Sequence, residues 1–486
     1  MPPETRSAIC LLSAEVAPLS KTGGLGDVAG ALAKQLTAFG HDVRVFTPAY
    51  STVDLAACAA RPLPHLARRR LTLGPHAYEF SVLRGTLPGD TPVYLIDCPA
   101  LYARTSLYTA EPDEHRRFIA FTRAALLTCR ELRFAPDVLH CNDWHTAFAP
   151  LFLKTLHRGD SFFAATKTLL TIHNIGYQGV FPAAHVADLG LPVKDRPLLQ
   201  KDDLATGHIN ALRHGIVYAD AINTVSPTHA REICSDEYGM GLQDSLRARG
   251  GAVSGILNGV DYAVWDPRHD RYLPRHYDAA SLGVKAQLKE GFLTRLGLDA
   301  SPGVPLAGIV TRLAVQKGIE LMYEALPAVL ESRSLNFVAL GSGEPEYEEF
   351  FAALARRLPG RVHFRAGYDD ELAHWIEAAS DLFLMPSRYE PCGLNQMYSL
   401  RYGTVPLVRR TGGLADSVEH FDPESGTGTG VVFNDFDSPA LKWGLNLALD
   451  WYQEPRHWQR LVHNGMAQDF SWQRQALEYL ALYGSL

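Results

Sequence analysis

Short runs of continuous apolar residues alternate with longer stretches in which apolar positions recur every three to four residues, and the alternation occurs twice. In the first half, residues 8–14, 43–47, 93–96, 138–140, 168–172 and 221–225 predict buried strands. The spacing over 28–39 and 118–132 predicts helices, the first stopping at Gly40. From about 261 to 305 the chain turns polar and rich in Pro, Arg, His and Asp. The pattern then restarts, with strands expected at 306–310, 337–340, 362–364, 382–385 and 405–408. Helices are expected at 320–330, 346–358, 371–379 and 394–401, a flexible loop at 426–430, and a last helix near 473–483. Continuous apolar strands separated by helices imply parallel sheets covered on both faces. The expected fold class is therefore α/β, with two doubly wound, Rossmann-like parallel-sheet domains, 1–255 and 256–465. A C-terminal helix within 466–486 is expected to cross back to the first domain. Such sheets bind ligands outside the carboxyl ends of their strands, so two of them are expected to face each other across a deep cleft.

Composition narrows the function. A chain of 486 residues is long for one core. A net charge of −7 without a basic stripe argues against nucleic acid as a partner. Seven cysteines, Cys10, Cys58, Cys98, Cys129, Cys141, Cys234 and Cys392, include no C-x-x-C pair and read as reduced thiols in a cytoplasmic protein. The start, Met1-Pro-Pro-Glu-Thr-Arg-Ser7, lacks the pattern of a signal peptide, its following apolar run ending at Glu15. No apolar stretch approaches the roughly 18 residues of a membrane helix, so no membrane partner is expected.

Two loops far apart say nearly the same thing: Lys21-Thr-Gly-Gly-Leu-Gly-Asp27 and Arg410-Thr-Gly-Gly-Leu-Ala-Asp416. A cation, paired glycines and a helix start offer backbone N–H groups and positive charge to an anion. The first loop also satisfies G-x-G-x-x-A through Gly24, Gly26 and Ala29. A dinucleotide site, however, wants an acid closing the second strand, where Val45-Phe-Thr-Pro48 has none. In the second half, Arg312 and Lys317 lie five apart on a strand-to-helix loop that ends at Gly318. Two cations there can neutralise a leaving diphosphate, each pair worth about 4 kcal/mol at 4 Å and an effective dielectric of 20. Pro386-Ser-Arg-Tyr-Glu-Pro-Cys-Gly-Leu-Asn-Gln396 follows the strand at 382–385. There Glu390 can accept hydrogen bonds from sugar hydroxyls beside free helix N–H groups around Gly393, Leu394 and Asn395. Cys392 has no histidine partner and reads as a small buried thiol. His140-Cys-Asn-Asp-Trp-His145 and Thr171-Ile-His-Asn-Ile-Gly176 end strands. They admit either a zinc site from His140, Asp143, His145 and His173 or a polar, sugar-binding floor of Asp143 and His173 backed by Trp144.

Taken in order, Lys21–Asp27, His140–His145, Thr171–Asn174, Leu257-Asn-Gly-Val-Asp261, Thr311–Gly318, Ser387–Leu394 and Arg410–Leu414 resemble the bacterial glycogen synthases and plant starch synthases that use ADP-glucose. The resemblance spans about 11–472. It implies a GT-B glycosyltransferase that moves glucose from ADP-glucose to the non-reducing 4-hydroxyl of an α-1,4-glucan, with retention, no metal and no pyridoxal phosphate. Matched by position, Lys21 would hold the donor in a loop shaped by Gly24 and Asp27. Arg312 and Lys317 would stabilise departing ADP, and Glu390 the glucose ring. His173 and Asn174 would face the glucose, and Asp143 would orient donor and acceptor. Asn258, Gln316, Gly367, Tyr368, Cys392, Gly393 and Leu394 would complete the pocket, with Tyr108 in an acceptor-side or donor-lid segment. Two positions depart from relatives. Tyr398 stands where many retaining transferases have a second glutamate, as starch and glycogen synthases place an aromatic or His there. Asn395 stands where the bacterial enzymes have Thr, which matters for nucleotide affinity only if the side chain makes the contact. The expected partners are ADP-glucose and glycogen, and the expected state is a monomer or weak homo-oligomer. The rival readings are a UDP-glucose enzyme, a glycan phosphorylase that would need a lysine-bound pyridoxal phosphate, and an inactive glycan-binding homologue.

Overall fold

The computed structural model describes residues 6–251 and 253–486. The first five residues of the start segment lie outside the described residues. The chain forms two compact units: Met1–Val225, Ala230–Gly259 and Trp472–Leu486 in one, Ser226–His229 and Val260–Ser471 in the other. Boundaries placed at 255 and 465 from the sequence lie a few residues short of these divisions.

In the first unit the strands are β1 (Ala8–Leu12), β2 (Asp42–Pro48), β3 (Arg61–Pro62), β4 (Arg69–Leu73), β5 (His76–Leu87), β6 (Thr91–Asp97), β7 (Val138–Asn142), β8 (Lys167–Ile172), β9 (Val180–Pro182), β10 (His208–Asn210), β11 (Ala221–Thr224) and β12 (Val253–Gly255). The main sheet runs β12-β11-β8-β7-β1-β2-β6-β5-β3, with β4 also on β5 and a separate β9–β10 ribbon. From β12 to β6 neighbouring strands are parallel. The remaining edge corrects the expectation of a purely parallel sheet, because β5 runs antiparallel to β3, β4 and β6. Along β5 burial alternates instead of forming a continuous apolar run. That is the signature of a strand with one face open to water, which a search for apolar runs passes over. The C-terminal helix Trp472–Gly484 buries Trp472, Ala476, Tyr479 and Tyr483 in this unit's core. Gly259 permits the contact, since a Cβ there would lie 2.6 Å from the Trp472 ring.

The second unit holds β13 (Leu306–Val310), β14 (Asn336–Gly341), β15 (Val362–Ala366), β16 (Leu382–Met385), β17 (Val405–Arg409) and β18 (Val431–Phe433), in the order β15-β14-β13-β16-β17-β18. All five pairings are parallel. The polar stretch before β13 contributes the helix Leu282–Leu296, which buries Phe292 and Leu293. The loop at 426–430 is not flexible as expected. Asn464 Nδ2 donates to the Gly426 and Gly428 carbonyls at 2.9 Å, and a Cβ on Gly428 would meet the His420 carbonyl at 2.4 Å.

Among its parallel strands each sheet reverses order once, beside β1 and β7 in the first unit and beside β13 and β16 in the second. In sheets of this kind the carboxyl ends of such strands are where ligands bind. Among the described residues no helix is long and apolar enough to cross a membrane.

Candidate active site

In the first unit, β1 leads through a turn to the helix Gly24–Ala38, and Glu15 organises that turn. Its carboxylate is buried and accepts from Thr22 N at 2.6 Å, Thr22 Oγ1 at 2.7 Å, Gly23 N at 3.3 Å and Tyr108 OH at 2.6 Å. Glycine is required at two close approaches: a Cβ on Gly26 would lie 2.9 Å from the Ser20 carbonyl, and one on Gly30 2.4 Å from that of Ala17. Around Gly23 and Gly24, by contrast, the space is open. Lys21 Nζ pairs with Asp27 Oδ2 at 2.7 Å on the open side of the loop. Burial raises the Asp27 carboxyl despite this lysine.

At the end of β7, Asp143 adopts a left-handed φ of 54°, a strained setting for a residue with a side chain. Its Oδ1 accepts from His173 N at 2.7 Å and Asn174 N at 3.3 Å, so the ends of β7 and β8 are joined through one carboxylate. Burial nevertheless pushes Asp143 up to about 7, with Glu15 adding in the same direction. His173 Nε2 meets Asn142 Oδ1 at 2.8 Å, and Asn142 Nδ2 donates to the Leu12 carbonyl at 2.9 Å. With the amide so oriented, the His173 proton resides on Nε2. Burial holds this ring neutral, its pKa lowered to about 3. Tyr108 stacks on His145, which also tilts over Trp144.

The residues of the zinc reading already carry other contacts. His140 has both ring nitrogens occupied, by Tyr483 OH at 2.8 Å and Thr171 Oγ1 at 2.6 Å, and so joins the C-terminal helix to the sheet. Asp143 is committed to backbone amides. The cluster with metal-like spacing among the described residues, His115, His185 and Asp188, lies elsewhere. There Arg116 Nε already donates to Asp188 at 2.7 Å.

In the second unit the loops after β13 and β16 are laced together. Arg388 N donates to the Gln316 carbonyl at 2.9 Å, Gln316 Nε2 to the Tyr389 carbonyl at 3.3 Å, and Lys317 Nζ to Glu390 Oε2 at 2.6 Å. Ser387 Oγ donates to the same Glu390 oxygen at 3.0 Å. Gly318 allows this approach, having φ 67° and a Cβ position only 2.0 Å from the Pro386 carbonyl. Arg312 is exposed and has no ion-pair partner among the described residues. The second glycine loop braces this site: Gly413 N donates to the Glu390 carbonyl at 3.0 Å, and a Cβ there would run into Cys392. Asp416 holds Thr228 through its amide and hydroxyl, each at 2.6 Å.

Other expected residues fall into place around these loops. Cys392 is buried, Gly393 turns at φ 73°, and Leu394 caps the helix Asn395–Tyr402. Asn395 Nδ2 donates to the Val310 carbonyl at 2.7 Å, so its side chain is committed within the unit. Gly367 (φ 104°) has open space around it, and neighbouring Tyr368 is 73% exposed with its hydroxyl on Asp370 at 2.7 Å. Asn258 is buried in the first unit. Tyr398 lies flat on Trp265, centroids 4.1 Å apart, and Trp265 in turn on His374 at 3.8 Å. Glu15 escaped the sequence reading. Its signal was a lone acid set between an apolar strand and a glycine loop.

Known proteins resemble this chain over almost its whole length. Residues 8–248 match the family model described as starch synthase catalytic domain, and 298–462 that of glycosyl transferases group 1. A glycogen synthase from Anaeromyxobacter dehalogenans (strain 2CP-C) is 46% identical over 485 residues, covering 98% of this chain and 99% of that one. The chain belongs to the glycogen and starch synthase family. A glycogen synthase from Thermotoga maritima is 41% identical, with 98% of both chains covered. The solved catalytic domain of starch synthase IV from Arabidopsis thaliana matches with a TM-score of 0.90 at 34% identity over 99% of each chain. The two α/β units are those of a GT-B glycosyltransferase, and the family's members are retaining glucosyltransferases of glycogen and starch synthesis.

Proposed function

We propose that this chain transfers glucose from ADP-glucose to the non-reducing 4-hydroxyl of an α-1,4-glucan, with retention, in the cytoplasm. The observation that carries the reading is the pairing of a two-cation loop with a carboxylate loop at the strand reversal of the second sheet. Glucosyl transfer separates charge, positive on the sugar and negative on the leaving diphosphate. Lys317 and Arg312 answer the second, Glu390 the first, and both are preorganised by the lacing of their loops. The cations are side chains, so on this reading the reaction draws on neither a metal nor pyridoxal phosphate. Retaining hydrolases place two carboxylates about the bond. Here departure and attack share one face, and the diphosphate helps to deprotonate the acceptor. In the first unit Lys21 and the N–H groups at the open glycines hold the donor. His173, Asn174 and Asp143 orient the glucose, and Tyr108 acts from the acceptor side.

The Arabidopsis starch synthase IV structure was solved with ADP and acarbose, which supports a diphosphate donor and a glucan-like acceptor. Glycogen, as the polymer the bacterial relatives are named for, is the proposed acceptor here. The working form is a monomer or weak homo-oligomer, with no nucleic-acid or membrane partner. The deciding experiment measures labelled glucose entering glycogen from ADP-glucose, UDP-glucose or glucose 1-phosphate. Incorporation from ADP-glucose well above the other two is expected. Preference for glucose 1-phosphate would identify a phosphorylase, preference for UDP-glucose another transferase, and none from any donor an inactive homologue.

A further inference from the structure

Residues 103–113 connect the short helix Pro99–Tyr102 to the helix Glu114–Glu131 and carry Tyr108 near their middle. A loop of this kind keeps one conformation only where its ends and its turn are tied, because ordering each residue costs entropy. Both ends meet at one side chain, the fully buried Arg117. Arg117 Nε donates to the Leu101 carbonyl at 2.8 Å, ahead of the loop. Its Nη1 donates to the two Glu114 oxygens at 2.8 and 2.9 Å, just after the loop. The Arg117 carbonyl accepts in return from Tyr102 OH at 2.9 Å. Glu114 carries the hold into the loop, accepting from Thr109 N at 3.2 Å and Thr109 Oγ1 at 2.5 Å. Thr109 Oγ1 also accepts from Arg104 Nη1 at 3.0 Å, and Arg104 Nη2 donates to Asp113 at 2.7 Å. Tyr108, next to Thr109, sends its hydroxyl to Glu15 at 2.6 Å.

We propose that Arg117 is a positioning residue for the transfer reaction: it sets Tyr108, and through Tyr108 the Glu15 carboxylate that organises the first glycine loop. The inference rests on the proposed function and deepens it, giving the donor loop a support in a side chain sealed from solvent. Stability alone does not account for an arginine here. Its Nη2 has no partner among the described residues, and a buried ion pair is often replaced by apolar side chains without loss. An apolar side chain of similar length would also fill the space by the rings of Tyr50 and Phe118, whose centroids lie 5.6 and 5.4 Å from the guanidinium carbon. What it would lack is the rigid fork that reaches a carbonyl before the loop and a carboxylate after it. Lysine offers a point charge on a flexible stem and no such fork.

Arg117→Met keeps the length and the apolar contacts and removes the fork. KM for ADP-glucose should rise at least threefold, and hydrogen exchange of the amides at 104–113 should quicken at least tenfold. Arg117→Lys should restore only part of either. A merely structural role would add the same kinetic loss in any background, so the comparison is repeated with Tyr108→Ala. There Arg117→Met should change KM for ADP-glucose by less than twofold, while lowering the melting temperature as much as it does in the parent. An unchanged KM in the parent, or an equal rise with and without the Tyr108 side chain, would overturn the proposal. Should Arg117→Met not fold, Glu114→Ala opens the clamp at its part-exposed end and carries the same comparison. A parent that transfers no glucose from ADP-glucose would remove the proposed function. Exchange at 104–113 would then decide the clamp by itself, an unchanged rate in Arg117→Met overturning it.

Discussion

Lys317 and Glu390 hold each other at 2.6 Å. On the proposed reading, the ammonium and the carboxylate are kept in register for two opposite charges that appear together when the glycosidic bond breaks. Removing the ammonium by Lys317→Ala should lower kcat by roughly 10²–10³, the scale of one lost transition-state donor. Steady-state rates with saturating ADP-glucose measure this, and near-normal turnover would exclude Lys317 from the mechanism. Arg312→Lys should also slow the enzyme, because a point charge cannot reproduce a bidentate fork on a diphosphate. Asp143 adds a pH dependence of a different sign from most acids. Burial holds its folded pKa near 7, above the ordinary 3.8 of an aspartate, so between these values the folded state holds a proton that the unfolded state has lost. Its contribution to stability is present below about pH 4 and is lost as pH rises toward 7. Asp143→Asn should flatten that segment of the melting-temperature profile between pH 4 and 7.

Loops and their supports set the next scale. The glycine loop of the first unit is held by one buried carboxylate that accepts from three groups of the loop and from Tyr108. Glu15→Gln replaces one acceptor oxygen by a donor facing donors, at a cost of about 1–3 kcal/mol. KM for ADP-glucose should rise together with this loss, as seen by kinetics and thermal melting. Gly318→Ala should destabilise the second unit and depress kcat, since it combines a left-handed φ with a Cβ pressed into the Pro386 carbonyl. Both supports show how far the sequence could be read. Glycines before helices and cations after apolar strands announced where the loops lie, because chain chemistry and strand ends are local properties. The lacing of Gln316 to Tyr389, the bracing of Glu390 by Gly413, and the part played by Glu15 depend on distant segments meeting. No local spacing encodes those meetings. The antiparallel β5 was hidden for a simpler reason: half-exposed strands alternate, and alternation over a mixed sequence resembles a polar loop.

At the scale of the whole chain, the two units differ in how they answer acid. The first buries His140, His145 and His173 as neutral rings, each with its pKa lowered to about 3 by desolvation. An unfolded histidine takes up its proton near 6.5, so the stability carried by each ring is present above that value and is lost as pH falls toward 3. By pH 4.5 the loss is on the order of 3 kcal/mol per ring. Asp143 opposes it with a single proton, and three outweigh one. In the second unit the buried Glu377 is raised to about 8, which favours the folded form as pH falls through the same window. Acid should therefore unfold the first unit ahead of the second. Calorimetry at pH 7.5 and 4.5, with hydrogen exchange to locate the early transition, should show the sheet of β1, β7 and β8 opening first. His145 is the ring to change, because its Nδ1 has no partner among the described residues and its neighbours Tyr108, Phe118 and Trp144 are aromatic. His145→Phe should shrink the gap in melting temperature between the two pH values, because one neutral buried ring no longer resists protonation. A gap of the original size would mean that the acid response arises outside this cluster.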